Sequence, residues 1–124
     1  DVTFVNRNRG SGTRILTDSL LEAIAKAQGI QFDEAAAGIN GYRWEAKTHS
    51  AVAAAVSQGR ADMGVGIKSL ALSYGLEFIP LKEESYDFLV NPASQKKPAV
   101  VAFIKFLHSR EFKEMIRRFP GYRI

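Results

Sequence analysis

Cysteine is absent from the 124 residues, so the chain holds no disulfide framework, no thiolate metal site and no thiol nucleophile. Histidine is scarce: the only two, His49 and His108, lie far apart and give no zinc-ligand spacing. No apolar run is long enough to span a bilayer, and Asp1 opens onto a short apolar run rather than a basic and apolar leader. Internal repeats and low-complexity segments are lacking as well. What is present suffices for one core: 46% of the residues are hydrophobic, and the length suits one domain rather than two. The expectation is a soluble domain that forms one unit or part of one.

The formal charge is +4, with basic residues gathered towards the two ends. They are not massed on one helical face with interleaved aromatics, as a nucleic-acid surface would require. Lys113, Arg117, Arg118 and Arg123 share the last stretch with Phe112, Met115, Ile116 and Phe119, the ordinary division of an amphipathic helix into two faces.

The stretch with the most chemistry runs from Thr3 to Arg14. The apolar pair Phe4 and Val5 opens into Asn6-Arg7-Asn8-Arg9-Gly10-Ser11-Gly12-Thr13-Arg14 and then into a helical pattern. Strand, small-residue loop and helix start together present unpaired N–H groups and the positive end of a helix dipole, and such a junction cradles anions. Ser11 and Thr13 add hydroxyls; Arg9 and Arg14 add formal charge. A Gly-x-Gly turn also occurs with no ligand, where it only tightens the chain. Nucleotide loops fit poorly: no lysine precedes Lys26, and Ile15 stands where a dinucleotide fingerprint needs a third small residue.

Along the chain, Val2 to Val5 reads as a buried strand. Leu16, Leu20, Ile24 and Ala27 repeat at helical spacing, with Ala23 beside them and Gly29 at the expected left-handed C-cap. Gln31 to Tyr42 reads as a loop with about one helical turn, and Arg43 to Lys47 as a short strand around Trp44 and Ala46. Thr48-His49-Ser50 starts a second helix through Ala51, Val52, Ala55 and Val56, apolar enough to be buried on more than one side and closed by Gly59. In Asp62 to Ile67, Met63, Val65 and Ile67 alternate with Gly64 and Gly66, so one face is bare and something approaches it closely, either a helix or a ligand. Lys68 to Tyr74 reads as a short helix, Leu76 to Leu81 and Tyr86 to Val90 as further strands. Pro98 suits a helix N1 position before Val100, Phe103, Ile104 and Leu107, and Ser109 caps a final helix. This alternation predicts an α/β fold, a mostly parallel sheet with helices on both faces. Ligands then sit at strand carboxyl ends, where the loops at Arg9 to Arg14 and Thr48 to Ser50 can converge.

These residues carry a family resemblance over nearly the whole chain. Arg9-Gly10-Ser11-Gly12-Thr13-Arg14, Gly41-Tyr42, Thr48-His49, the run Gln58 to Ile67, Gly75 to Leu81 and Glu84-Ser85-Tyr86-Asp87, in that order, resemble the periplasmic-binding-protein-like domain associated with molybdate. Such domains are fused to molybdopterin-biosynthesis enzymes and to helix-turn-helix regulators. The tail from Ala102 to Phe112 is similar to the closing helices of type II solute-binding proteins. The resemblance implies a two-lobed fold that holds an anion in its cleft, with ligand contacts from Arg9, Ser11, Gly12, Thr13, Thr48, His49 and Tyr86. Residues 1–82 would form one lobe. Residues 83–124 would be the crossover strand and C-terminal helices of the other lobe, whose preceding part is absent, leaving Phe103, Leu107, Phe112 and Phe119 without partners or covered by self-association.

The expected function is binding or sensing of molybdate or tungstate by a cytoplasmic, non-enzymatic domain attached to a molybdenum-cofactor protein or regulator. No organic cofactor or metal cation, no direct nucleic-acid contact and no membrane contact are expected. Molybdate and tungstate are deprotonated near neutral pH, whereas phosphate keeps a proton that wants an acceptor, and no carboxylate occurs between Asn6 and Arg14 or between Thr48 and Ser50. The alternative is an organic-acid effector domain of a transcription regulator. A hydrolytic or phosphotransfer enzyme has no visible nucleophile and base beside the cradle.

Overall fold

The computed structural model describes all residues, Asp1–Ile124, which divide into two compact units, Asp1–Phe78 and Ile79–Ile124. In the first, strand β1 (Phe4–Arg7) leads through helices α1 (Gly12–Gln28) and α2 (Phe32–Ala37) to β2 (Glu45–Ala46). Helix α3 (His49–Ser57), β3 (Met63–Gly64) and α4 (Lys68–Ser73) follow. The three strands form one parallel sheet in the order β2-β1-β3, with β1 in the centre. No helix is long and apolar enough to cross a membrane.

Side chains alternate across a strand, and β1 uses this to build two cores. Val5, with no exposed surface, packs with Ala46, Val52, Ala55 and Ala61 on the α3 side. Phe4 faces the other way, onto Leu21, Ala36 and Tyr42. Helices thus cover both faces of a parallel sheet, as expected for an α/β fold. The bare face at Gly64 is explained by α3: a Cβ there would stand 2.6 Å from Val52 Cγ1 and 2.9 Å from Val5 Cγ1. At Gly66 the same atom would meet nothing within 4 Å. Gly41 answers a second constraint, since its φ of +84° lets it pass against the Phe4 carbonyl, which any side chain would strike.

Helix α1 ends as its sequence suggests, at Gly29 with φ 70°, and Ser11, expected only as a hydroxyl of the cradle, is its N-cap. Its inward face differs from the expected one. Leu20 and Ile24 are 44% and 52% exposed, and the buried residues are Arg14, Leu21 and Ala25. These three continue with Asp18 at i, i+4, i+7 and i+11, so burial of Arg14 turns the helix away from its apolar stripe. Leu20 and Ile24 line instead an open groove of about 520 Å³ with Val2, Phe4, Met63 and Val65.

Further expectations are corrected. Residues 31–42 hold the six-residue helix α2, with Asp33 and Glu34 in its first turn, and turns at 38–42, so the helical part is somewhat longer than the one turn expected. The strands expected at Leu76 to Leu81 and Tyr86 to Val90 are not formed. Their alternating pattern finds no backbone to pair with: Ile79, Leu81, Phe88 and Leu89 are 61% to 98% exposed, and Pro80 has no N–H to donate.

The second unit holds a 3-10 turn at Pro92–Ser94, helix α5 (Pro98–Leu107) with proline in its first turn, and α6 (Arg110–Ile116) capped by Ser109. Phe88 meets Phe103 edge-on at 5.1 Å and Phe106 meets Phe112 at 5.4 Å, yet none of its residues is buried.

The packing at β3 has a direct test. Gly64→Ala is expected to destabilise the domain by about 1–3 kcal/mol, since Val5 and Val52 must give way, while Gly66→Ala stays within about 0.5 kcal/mol. Urea-unfolding midpoints of the two variants check this, and equal midpoints would refute the close contact.

Candidate functional site

Because β1 and β2 run parallel in the register Asn6↔Glu45 and Arg7↔Ala46, their carboxyl ends emerge side by side. Asn8 N–H then donates to the Ala46 carbonyl at 3.1 Å, which ties the loop after β1 to the loop after β2. Each loop ends in an N-cap. Ser11 Oγ accepts from Arg14 N–H at 3.1 Å and Thr48 Oγ1 from Ala51 N–H at 3.0 Å. A capping hydroxyl accepts with one lone pair and keeps its own proton for donation. The N–H groups of Gly12 and Thr13 open α1 with no intrahelical acceptor. The fold thus brings Ser11, Gly12 and Thr13 to the same sheet edge as Thr48 and the half-buried His49. Tyr86 belongs to the other unit, outside any helix or strand and 69% exposed, and not on the strand expected for it.

Four arginines and carboxylates near this edge have different fates. Arg14 was expected to lend its charge to the cradle, but its side chain is only 6% exposed and is engaged through Nε and Nη1. Its Nε donates to Asp18 at 2.7 Å, and its Nη1 donates to the Arg7 carbonyl at 3.0 Å and to Glu45 at 3.2 Å. Its guanidinium carbon lies 5.3 Å from the centre of the Tyr42 ring. Burial alone would lower the Arg14 pKa, but the hydrogen bond and charge of Asp18, with Tyr42 and Glu45, raise it, so the group stays charged and neutralised in place. Arg9 stands at the rim, with its side chain 85% exposed and a loose 3.9 Å contact to Glu45. Glu45 is a carboxylate that local sequence did not place near the cradle. It meets both arginines through the same oxygen, Oε1.

Arg7, at the end of β1, is a residue that the sequence reading passed over. Its Nη2 donates to the Lys47 carbonyl and to Asn8 Oδ1 at the long distances of 3.4 and 3.5 Å, while Nε and Nη1 are enclosed and make no hydrogen bond. Strand alternation carries the signal that was available, since Arg7 shares a face with Val5 and ends the strand. Asn6, also buried, is satisfied: it donates to the Tyr42 carbonyl at 3.0 Å and accepts from Arg7 N–H at 2.9 Å.

Tyr42 completes the support under the cradle. Its hydroxyl donates to Asp18 at 2.6 Å, and its ring stacks on Phe4 at 5.9 Å and meets Phe32 edge-on at 6.2 Å. Burial, followed by the hydrogen bond to Asp18, pushes its pKa up to about 12. Arg14 and Asp18 at i, i+4 were visible in the sequence as a helical ion pair, but Tyr42 as their third member was not.

This architecture, three parallel strands whose carboxyl ends meet two capped helix starts, is of the α/β class. Residues 1–108 match the family model of the PBP superfamily domain, and the chain belongs to that family of periplasmic-binding-protein-like domains. It is 32% identical over 122 residues to the uncharacterized protein YvgK of Bacillus subtilis (strain 168), a match that covers 98% of this chain and 36% of that protein. The chain therefore spans little more than a third of that relative's length. An uncharacterized protein encoded in the 5′ region of a ferredoxin 2Fe-2S gene in Clostridium pasteurianum is 32% identical over 85 residues, covering 68% of this chain and 75% of that protein. No solved structure matches the chain.

The raised Tyr42 pKa sets a pH dependence. The folded state holds the phenolic proton more tightly than the unfolded chain, so this contribution to stability is complete below about pH 10. It is expected to fade as pH rises towards about 12, where Tyr42 ionises beside Asp18. Unfolding midpoints between these limits should fall more steeply for the wild type than for Tyr42→Phe, and parallel curves would count against the buried hydrogen bond.

Proposed function

We propose that this domain binds a tetrahedral oxyanion, molybdate or tungstate, and serves as the binding or sensing part of a larger cytoplasmic protein concerned with molybdenum-cofactor biosynthesis or its regulation. Membership of a family of binding domains supports a role in holding a ligand rather than transforming one. The observation that carries the reading is the convergence of two hydroxyl-capped helix starts at the adjacent carboxyl ends of β1 and β2. Ser11, Thr13 and Thr48 offer hydroxyl donors and Gly12 a backbone N–H. Arg9 and His49 stand beside them. Such a set stabilises an anion through oriented dipoles that are already in place.

Molybdate and tungstate suit this donor-rich set because they bring no proton of their own. Glu45, the carboxylate nearest the loops, accepts from Arg14 and contacts Arg9 through Oε1 and keeps Oε2 as an acceptor, so sulfate and phosphate are the controls that test this preference. The attached catalytic or helix-turn-helix domain, and any self-association, belong to the same proposal.

Calorimetric titration of the intact protein with molybdate, tungstate, sulfate and phosphate tests it. Saturable binding of molybdate or tungstate is expected, weakened about 10- to 100-fold in Ser11→Ala and in Thr13→Val by loss of a hydrogen bond to a charged ligand. Heat from organic acids but from none of these anions would replace the oxyanion reading with that of an effector domain.

A further inference from the structure

The first unit contains eight Lys and Arg residues and eight Asp and Glu residues, so the whole +4 charge lies in Ile79–Ile124. The first unit by itself therefore offers an anion at the carboxyl end of β1 no general excess of positive charge. Arg14 is neutralised by Asp18 and Glu45, and Arg9 leans on Glu45 from the solvent side. Arg7 differs from both. No carboxylate pairs with it, its two hydrogen bonds are long, and three of its five guanidinium N–H groups, those on Nε and Nη1, are enclosed without an acceptor. An enclosed cation with unused donors is unfavourable in a protein interior, and a fold that keeps one is explained by a counter-ion it receives.

We propose, resting on the oxyanion reading, that Arg7 is the formal charge that pairs with the bound dianion. The long Nη2 contacts to Asn8 and Lys47 are the ones given up, as the loop at Asn8 to Gly10 shifts to let an oxygen edge of the anion reach the guanidinium. The planar fork of arginine matches two oxygens of a tetrahedral oxyanion. Ser11, Thr13 and Thr48 complete the shell, and Arg9 remains a rim charge.

The test is titration of the intact protein with sodium molybdate and sodium tungstate, on the wild type, Arg7→Met and Arg9→Met. Arg7→Met is expected to weaken binding about 10- to 100-fold, and Arg9→Met by no more than about fivefold. A second reading comes from thermal unfolding. Without anion, Arg7→Met should melt no lower than the wild type, because an unpaired cation has been replaced by an apolar chain. Millimolar molybdate should raise the wild-type midpoint by more than that of Arg7→Met. Equal binding by the wild type and Arg7→Met overturns the assignment and leaves the oxyanion reading standing. Absence of binding by the wild type overturns both. Should Arg7→Met not fold, Arg7→Gln decides by the same titration.

Discussion

The buried guanidinium of Arg14 is the constraint on which the rest of the first unit depends. It touches four segments at once: the end of β1 through the Arg7 carbonyl, α1 through Asp18, β2 through Glu45, and the chain before β2 through the Tyr42 ring. A charge removed from water must be paired, so these segments are not free to drift apart. The same requirement sets the rotation of α1. With Arg14 inward, Asp18, Leu21 and Ala25 follow it on one stripe, and Leu20 and Ile24 are turned to the open groove beside β3.

That rotation matters for function because α1 begins where β1 ends. Fixing the first turn against β1 and β2 aims the free N–H groups of Gly12 and Thr13 at the carboxyl edge of the sheet. There the loop before α3 lies one strand away. The sheet itself is slight, with ladders of two residues on either side of β1. Its rigidity comes from what is packed against it. Val5 and Phe4 send opposite faces of one strand into two separate cores, and Gly64 lets α3 close on the second neighbour.

Three arginines within eight residues illustrate how surroundings decide what a side chain does. Arg14 is paired and structural. Arg9 is exposed and loosely held, so its charge is screened by water. Arg7 meets no carboxylate, and its Nε and Nη1 are enclosed without an acceptor. In sequence they are equivalent cations flanking a small-residue loop, and only Arg9 and Arg14 drew notice as charges for the cradle. The carboxylates that separate their roles, Asp18 and Glu45, lie outside the loop, one on the helix and one on a strand 31 residues from Arg14.

Local signals in the chain were sufficient for the elements whose causes are local. The caps at Thr48 and Ser109, the left-handed end at Gly29, the proline start of α5 and the alternation that demands a parallel sheet follow from side-chain to backbone hydrogen bonds and periodicity over a few residues. The family to which the chain belongs was legible for the same reason, through short motifs in a fixed order. Strands at Leu76 to Leu81 and Tyr86 to Val90 could not be judged in this way, because a strand exists only where another backbone accepts its hydrogen bonds. Nor could the inward face of α1, since apolar spacing proposes a stripe and a buried ion pair overrules it. The sequence by itself determined which residues start and stop helices and which small-residue loop faces the sheet edge. Only the tertiary structure decided which arginine is neutralised and which is left with no carboxylate beside it, because charge pairing depends on distances that β-strand register and helix rotation set.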